Sequence, residues 1–342
     1  MSNKCFIIYS KLDTNRGYNT LEFKWRMVEK ELVLVEERLK HVVEAAGPEI
    51  NEVGDYIFNG SGKRIRPALF LIAAYRRDHD LLSLLDVAVA LELMHTASLL
   101  HDDVIDQAST RRGNETVNIK WSNKISVLSG DYLLSQAFKM LVGYEDWNLM
   151  NIVVNIVQNM AEGEVEQAFA DTNLPDLEAR YFQWIGKKSA SFFAGCCQAG
   201  SLLGGYDYRE QTLWSEFGYN LGIAFQLIDD LLDYTGEGNV TGKPRYGDLS
   251  NKVITLPLIR TTKLKSEEGT IKRLLQDDNA TGSQIGAVAQ AVLDGDGPAY
   301  TYCKAEEHTK RAADIIKKLQ PNNQVKSEVL EQLTRDLLLR RK

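Results

Sequence analysis

Residues 99–106 read LLHDDVID, and residues 226–233 read QLIDDLLD. Each stretch places two adjacent aspartates, and a third aspartate three positions later, among leucine, valine and isoleucine. A carboxylate in apolar surroundings is costly unless a positive charge meets it, and a solvated acidic face is a poor explanation for two such stretches. The pair therefore predicts two helices that share a binding site for a cation.

The spacing of the aspartates supports a metal site. Residues four apart lie on one face of an α-helix, about one turn from each other, as Asp102 and Asp106 would. If the two helices face each other, six carboxylates meet across a cavity: Asp102, Asp103, Asp106, Asp229, Asp230 and Asp233. These hard oxygen ligands suit Mg²⁺, which usually takes one or two protein carboxylates and completes its octahedron with water and phosphate.

The rest of the chain has the helix period. Only seven of its 342 residues are proline, and apolar residues recur at intervals of three and four along most of it. We expect an all-α fold, a single large helical bundle around a central cavity over residues 21–342, after a flexible tail over residues 1–20. The predicted helices lie near 21–46, 65–77, 82–107, 120–143, 147–170, 176–203, 209–235, 251–265, 299–319 and 324–340.

Composition excludes several classes of protein. A formal net charge of -7 argues against a general nucleic-acid binder, which needs a broad basic surface. The four cysteines show no paired CxxC spacing, so we expect no zinc site and a reducing compartment. The first twenty residues resemble neither a signal nor a transit peptide, and no later run reads as a membrane span. We therefore expect a cytoplasmic protein.

Basic residues stand at the predicted helix breaks. The segment GKRIRP provides Lys63, Arg64 and Arg66, and TRRG provides Arg111 and Arg112 directly after the first acidic stretch. Guanidinium groups bind phosphate oxygens bidentately, whereas lysine acts as a compact charge. Weaker candidates, for which solvated or core positions stay open, are His95, Lys188, Ser189, Gln226, Lys243, Asp248 and Lys252.

Together these motifs resemble the trans-isoprenyl diphosphate synthase family, from about residue 25 to the C-terminus. The similar segments, in the family's order, are GSGKRIRP, LELMHTASLLHDD, STRRGNETV, SGDYLLSQAF, EGEVEQ, KKSASFF, GIAFQLIDDLLDYTG and GKPRYGDLSNKVITLPLI. The resemblance implies a homodimer of the isoprenoid synthase fold. It also implies condensation of isopentenyl diphosphate with an allylic diphosphate by repeated ionisation, condensation and elimination, with about three Mg²⁺ ions in each active site.

The resemblance also implies a role for each candidate residue. The six aspartates would hold the ions, and the contacts to the allylic diphosphate would be Arg111, Lys188 and Lys243. Isopentenyl diphosphate would be held by Lys63, Arg66, His95 and Arg112. Ser189 and Gln226 would line the site of the allylic cation, and Lys252 would lie near the leaving group.

The resemblance implies that product length depends on the residues one turn before Asp102. Similar short-chain synthases carry bulky aromatic residues there, whereas this chain has Ala97 and Ser98. The hydrocarbon tail should then pass these small residues and continue towards Leu93, Met94 and Phe138. We therefore expect a long-chain polyprenyl product.

Other functions stay open at this point. A shorter farnesyl or geranylgeranyl product needs only a closed cavity. A class I terpene cyclase uses similar ionisation but lacks a GKRIRP-like segment, and a metal-dependent phosphohydrolase would pair His101 with Asp102 but needs further histidines. The remaining alternative is a non-catalytic subunit of a heteromeric synthase.

Overall fold

The computed structural model of the protein describes residues 25–44, 47–59, 62–76, 80–111, 113–171, 176–236, 246–263, 268–277, 279–319 and 324–340. The expected N-terminal tail, Arg112 and Lys243 lie outside these ranges. Helices account for most of the described residues, so the predicted all-α fold is confirmed.

The helices of the first half are α1 (Glu29–Glu44), α2 (Pro48–Phe58), α3 (Ile65–Ala74), α4 (Leu85–Ile105), α5 (Val117–Lys120), α6 (Asn123–Val142) and α7 (Trp147–Ala168). Those of the second half are α8 (Leu177–Ile185), α9 (Ser191–Leu203), α10 (Tyr208–Thr235), α11 (Gly247–Ser250), α12 (Leu256–Thr262), α13 (Glu268–Gln276), α14 (Gly282–Asp294), α15 (Gly297–Leu319) and α16 (Gln324–Leu338). A 3₁₀ turn (Leu81–Leu84) precedes α4, and one π-helical turn (Gly186–Ala190) joins α8 to α9. Strands β1 (Thr110–Arg111) and β2 (Asn114–Glu115) form an antiparallel hairpin.

Several elements differ from the sequence prediction. Helices α2, α5, α11, α13 and α14 were not predicted, because they are short and their segments contain glycine, asparagine or aspartate, which weaken a helical pattern. The break between the helices predicted over 82–107 and 120–143 contains the hairpin, and the helix predicted over 176–203 is interrupted by the π-helical turn. The helix predicted over 251–265 is shorter, because Pro257 begins α12 in its first turn.

The bundle is built from long helices packed along one another. Helix α4 packs along α6, and α10 packs along both α9 and α15. The largest fully buried side chains include Trp214, Tyr181, Phe192 and Phe217. A second, smaller apolar cluster around Tyr234 joins the end of α10 to α11–α14.

Both acidic stretches lie at the C-terminal ends of their helices. Asp102 and Asp103 are in the last turn of α4, and Asp229 and Asp230 are within the last two turns of α10. The C-terminal end of a helix carries the negative pole of its dipole, which disfavours additional negative charge. The position therefore excludes helix-dipole stabilisation as the reason for these aspartates.

One apolar segment departs from the expectation that no run could span a membrane. Leu81–Ile105, which contains α4, is long and apolar enough to cross a membrane, judged by length and composition alone. However, 67% of its most apolar window is buried inside the fold. A core helix passes the same test, and α4 lies in the core.

Candidate active site

A cavity of about 440 Å³ lies between α4, α7, α10 and the segment that joins α8 to α9. Its two ends differ in chemistry. One end carries carboxylates from both acidic stretches together with Arg111 and Lys188. Met94 precedes Asp102 by two turns of α4, about 12 Å along the helix, so the apolar lining that includes Met94, Leu134, Val157 and Met160 forms the other end.

The first acidic stretch divides between two cavities. Asp102 and Asp106 line the main cavity, as their spacing predicts. Burial raises the pKa of Asp102 to about 6, and the charges of Glu164 and Asp106 add to this effect, while Lys188 opposes it. Asp103 instead faces a smaller cavity behind α4.

Asp103 is bonded to the hairpin. Its side chain is almost fully buried, and its Oδ1 accepts a hydrogen bond from Nε of Arg111 and forms an ion pair with Nη2, each at 2.8 Å. Arg111 also lines the main cavity. Asp103 therefore fixes the orientation of a guanidinium group at the acidic end.

The second acidic stretch is also divided. Asp229 and Asp230 line the cavity. Asp233 does not, because its carboxylate accepts hydrogen bonds from the backbone N–H groups of Gly247 at 2.9 Å and Asp248 at 3.3 Å. These bonds satisfy orphan donors at the N-terminus of α11 and place the Asp248 side chain at the cavity wall.

Asp230 is the most strongly perturbed of these acids. Burial raises its pKa to about 7, and the charge of Asp248 adds to the increase. Its oxygens accept hydrogen bonds from the hydroxyl of Tyr181 and from Nε2 of Gln226, the latter at 2.8 Å. The Ser189 hydroxyl donates to Oε1 of Gln226 at 2.6 Å, which completes a polar chain along the cavity wall.

The structure therefore brings six carboxylates to the cavity, but they are not the six expected. Four of the predicted aspartates are joined by Glu164 and Asp248, while Asp103 and Asp233 lie to the side. Within the described ranges, no three His, Cys, Asp or Glu side chains are close enough to one another to hold a metal ion by themselves. Carboxylates spread around a cavity fit an ion that completes its coordination with water and phosphate.

The predicted basic residues occupy different environments. Arg66 lines the cavity, with its guanidinium carbon 4.9 Å and 5.2 Å from the ring centroids of Phe192 and Phe193. His95 lines the same wall and meets Phe192 edge-to-face. Lys63 is exposed, and neither it nor Lys252 is part of the cavity wall.

The neighbouring Arg64 has a structural role. It is buried and bonds to Glu36 and, at 2.8 Å, to Glu92, so that it links α1 and α4. Arg112 and Lys243 lie outside the described residues.

The apolar end begins one turn before Asp102. Ala97 and Ser98 both line the cavity, and the Ser98 hydroxyl donates to the carbonyl oxygen of His95 at 2.8 Å, so it is turned along its own helix. Met94 follows on the same wall. Leu93 and Phe138, which the sequence suggested for this path, are outside the wall of the cavity: Leu93 is fully buried elsewhere in the core.

Three cavity contacts, Glu164, Gln167 and Tyr181, were not candidates from the sequence, and Asp248 was only a weak one. Glu164 and Gln167 lie in the segment EGEVEQ, and Asp248 lies in a loop that contained candidate lysines. Family-like segments were thus a usable signal for these three residues. Tyr181, whose hydroxyl bonds to Asp230 across 49 residues, has no local signal.

Comparison with known proteins agrees with this geometry. A family model described as Polyprenyl synthetase matches residues 47–292. The chain is 32% identical to an octaprenyl diphosphate synthase of Haemophilus influenzae, covering 83% of this chain and 86% of that protein. It is 30% identical to heptaprenyl diphosphate synthase component 2 of Bacillus subtilis, covering 93% of this chain and 91% of that protein.

A solved structure shows the same fold. A polyprenyl synthase from Caulobacter crescentus, crystallised with calcium and isoprenyl diphosphate, superposes with a TM-score of 0.88 at 29% identity. The match covers 96% of this chain and all of the other.

Proposed function

The chain belongs to the polyprenyl synthetase family, and we propose that it is a prenyltransferase that extends an allylic diphosphate with isopentenyl diphosphate to a long-chain all-trans polyprenyl diphosphate. The observation that carries this proposal is the two-ended cavity. Its acidic end suits a metal-bound diphosphate, and its apolar end suits the growing hydrocarbon. The binding of calcium and isoprenyl diphosphate by the Caulobacter relative supports the same combination of ligands.

We propose that Asp102, Asp106, Asp229 and Asp230 hold Mg²⁺ directly. Asp103 and Asp233 act indirectly. Asp103 orients Arg111, and Asp233 accepts a backbone hydrogen bond at the N-terminus of α11. Bound Mg²⁺ supplies positive charge that favours departure of pyrophosphate.

The protein's own groups have three tasks in this reaction. Arg111 and Lys188 bind the allylic diphosphate and help to neutralise the charge that develops on it. The carbonyl oxygen of Gln226, oriented by its bonds to Ser189 and Asp230, presents a partial negative charge to the allylic cation. The aromatic and aliphatic walls keep water from that cation.

The second substrate needs a separate basic site. Arg66 and His95 lie together at the Phe192 wall, and we assign them to isopentenyl diphosphate. Lys63, Arg112, Lys243 and Lys252 belong to the same proposal on the basis of their motifs alone.

The long product is proposed from the cavity's apolar end. Ala97 and Ser98 leave the passage beside α4 open, and Met94 and Met160 lie beyond them. Methionine is flexible and adapts to irregular space, so this end can yield to a longer tail.

We propose a homodimer, as the family resemblance implies, and a cytoplasmic location, in line with the buried thiols of Cys196 and Cys197. A second arrangement is favoured by one comparison, because the Bacillus relative is named as one component of its synthase. The chain would then need a different partner chain for activity.

One experiment tests both arrangements. The purified chain alone is incubated with isopentenyl diphosphate, an allylic primer and Mg²⁺, and the products are sized. Long polyprenyl diphosphates would support a self-sufficient synthase. Bound substrates without chain growth would favour the two-component arrangement, and phosphate release without growth would contradict the proposed function.

A further inference from the structure

Lys187 and Lys188 are adjacent in the chain but bind different faces of α7. The Lys187 ammonium bonds to Glu162 at 2.9 Å and to Glu166 at 2.6 Å, outside the cavity. The Lys188 ammonium bonds to Glu164 at 2.5 Å and to Oε1 of Gln167 at 3.1 Å, at the cavity wall. The segment EGEVEQ therefore pairs with Lys187 outside the cavity and with Lys188 at the cavity wall.

Two backbone features make this arrangement possible. Gly163 lets α7 approach the π-helical turn so closely that a Cβ there would lie 2.5 Å from the backbone nitrogen of Lys188. The π-helical turn itself widens the backbone at the two lysines. Such single turns are inserted mostly where a side chain has a functional position.

Lys188 has a second carboxylate within reach of its charge. Burial alone would lower the pKa of Lys188, but the charges of Asp102 and Glu164 raise it above its usual value. Among the described residues, however, the direct ion pair of Lys188 is with Glu164, and Asp102 stays beyond that distance. A flexible lysine released from Glu164 would find Asp102 as its nearest attractive partner.

From this geometry we propose that Glu164 is a positioning residue, which holds the Lys188 ammonium on the α7 side of the cavity and so keeps Asp102 open to a divalent cation. The inference rests on the proposed function, since it assumes that Asp102 binds a metal and Lys188 a diphosphate. Gln167 assists by accepting a second hydrogen bond from the same ammonium. Glu164 thus acts through Lys188 and not by touching substrate.

The first test is structural and needs no substrate. Crystal structures of the ligand-free wild type and of Glu164→Gln are compared, and in the variant we expect the Lys188 ammonium within ion-pair distance of Asp102. A lysine that keeps its wild-type position would overturn the proposal. Glu162→Gln is the matched control, because it removes a carboxylate from the same helix that pairs with Lys187 on the outer side.

The second test measures binding of inorganic pyrophosphate by calorimetry at increasing Mg²⁺ concentration. Glu164→Gln should raise the half-saturating Mg²⁺ concentration about tenfold, and Glu162→Gln should leave it within about twofold of wild type. In a Lys188→Met background, Glu164→Gln should have no further effect, because its target is gone. An equal effect in both backgrounds, or equal effects of Glu162→Gln and Glu164→Gln, would contradict a role through Lys188.

The two tests separate the inference from its premise. If the wild type binds no pyrophosphate with Mg²⁺, the proposed function fails, while the crystal comparison still decides where Glu164 holds Lys188.

Discussion

Nη2 of Arg340, at the end of the described chain, donates a hydrogen bond of 3.0 Å to Oδ1 of Asp229, 111 residues earlier. The guanidinium carbon also lies 4.5 Å from the ring centroid of Phe225, one turn before Asp229 on α10. The segment that follows α16 thereby neutralises one carboxylate of the second acidic stretch. Since Asp229 is about one-third exposed, this ion pair contributes little to stability, on the order of 1 kcal/mol.

Arg340→Met tests this contact. Methionine keeps an apolar contact with Phe225 but removes the charge, so we expect the ligand-free protein to lose about 1 kcal/mol of its free energy of unfolding. Denaturation in urea without divalent ions measures the loss. The same substitution in an Asp229→Asn background should cost much less, and equal losses in both backgrounds would show that the ion pair is not the cause.

The carboxylates at the acidic end should lower the stability of the ligand-free protein but be necessary for activity. Asp102→Ala and Asp229→Ala are expected to lower turnover by orders of magnitude without unfolding the protein, as measured by product formation and circular dichroism. Full activity in either variant, or in excess chelator, would remove the metal hypothesis.

The raised pKa values make the stability of the ligand-free protein depend on pH. The ordinary pKa of an aspartate is 3.8, whereas Asp102 titrates at about 6 and Asp230 at about 7 in the folded protein. Between these values the folded state holds more protons than the unfolded state, so ligand-free stability should fall as pH rises from about 4 to about 7 and then level off. Melting temperatures across this range, without divalent ions, measure the effect.

Replacing the Asp102 carboxylate with a neutral amide should restore much of the stability that is lost as the pH rises. At pH 8, Asp102→Asn should stabilise the ligand-free protein by about 1–3 kcal/mol while abolishing activity. Asp131→Asn, at an exposed aspartate of α6, is a suitable control and should change stability little. A destabilised Asp102→Asn protein would show that the carboxylate is satisfied without a cation.

The two basic sites should separate kinetically. We expect Arg66→Ala to raise chiefly the KM for isopentenyl diphosphate, because Arg66 lies at the Phe192 wall, and Arg111→Ala to raise chiefly the KM for the allylic diphosphate. Arg111→Ala also removes an ion-pair partner of the buried Asp103, so Asp103→Asn in the same background controls for lost stability. Equal changes in both KM values from both variants would contradict the assignment.

Product length should respond to Ala97. It is almost fully buried and lies on the cavity wall one turn from Asp102, so Ala97→Tyr should block the passage and shorten the product while leaving the metal site intact. Chromatographic sizing of the products measures the change, and Ala97→Ser serves as a small-residue control. A wild-type product of fifteen carbons, or an unchanged distribution in Ala97→Tyr, would show that Ala97 does not control length.

Local sequence accounts for much of the fold and part of the site. The helix period predicts α4, α6, α7, α10, α15 and α16 closely, because each is long and has apolar residues at helical spacing. Spacing along one helix also places Asp102 and Asp106 on a common face, since four residues make about one turn. These features depend on neighbours within a few positions, which a sequence shows directly.

Tertiary structure decided which carboxylates enter the cavity. Asp103 and Asp233 belong to the same motifs as Asp102 and Asp230, but Arg111 draws the first to the hairpin and the N-terminus of α11 engages the second. Glu164 takes a place at the cavity because Gly163 brings α7 against the π-helical turn. The rotation of a helix about its axis depends on the helices packed against it, such as α15 against α10, and these partners lie beyond the local pattern that a sequence shows.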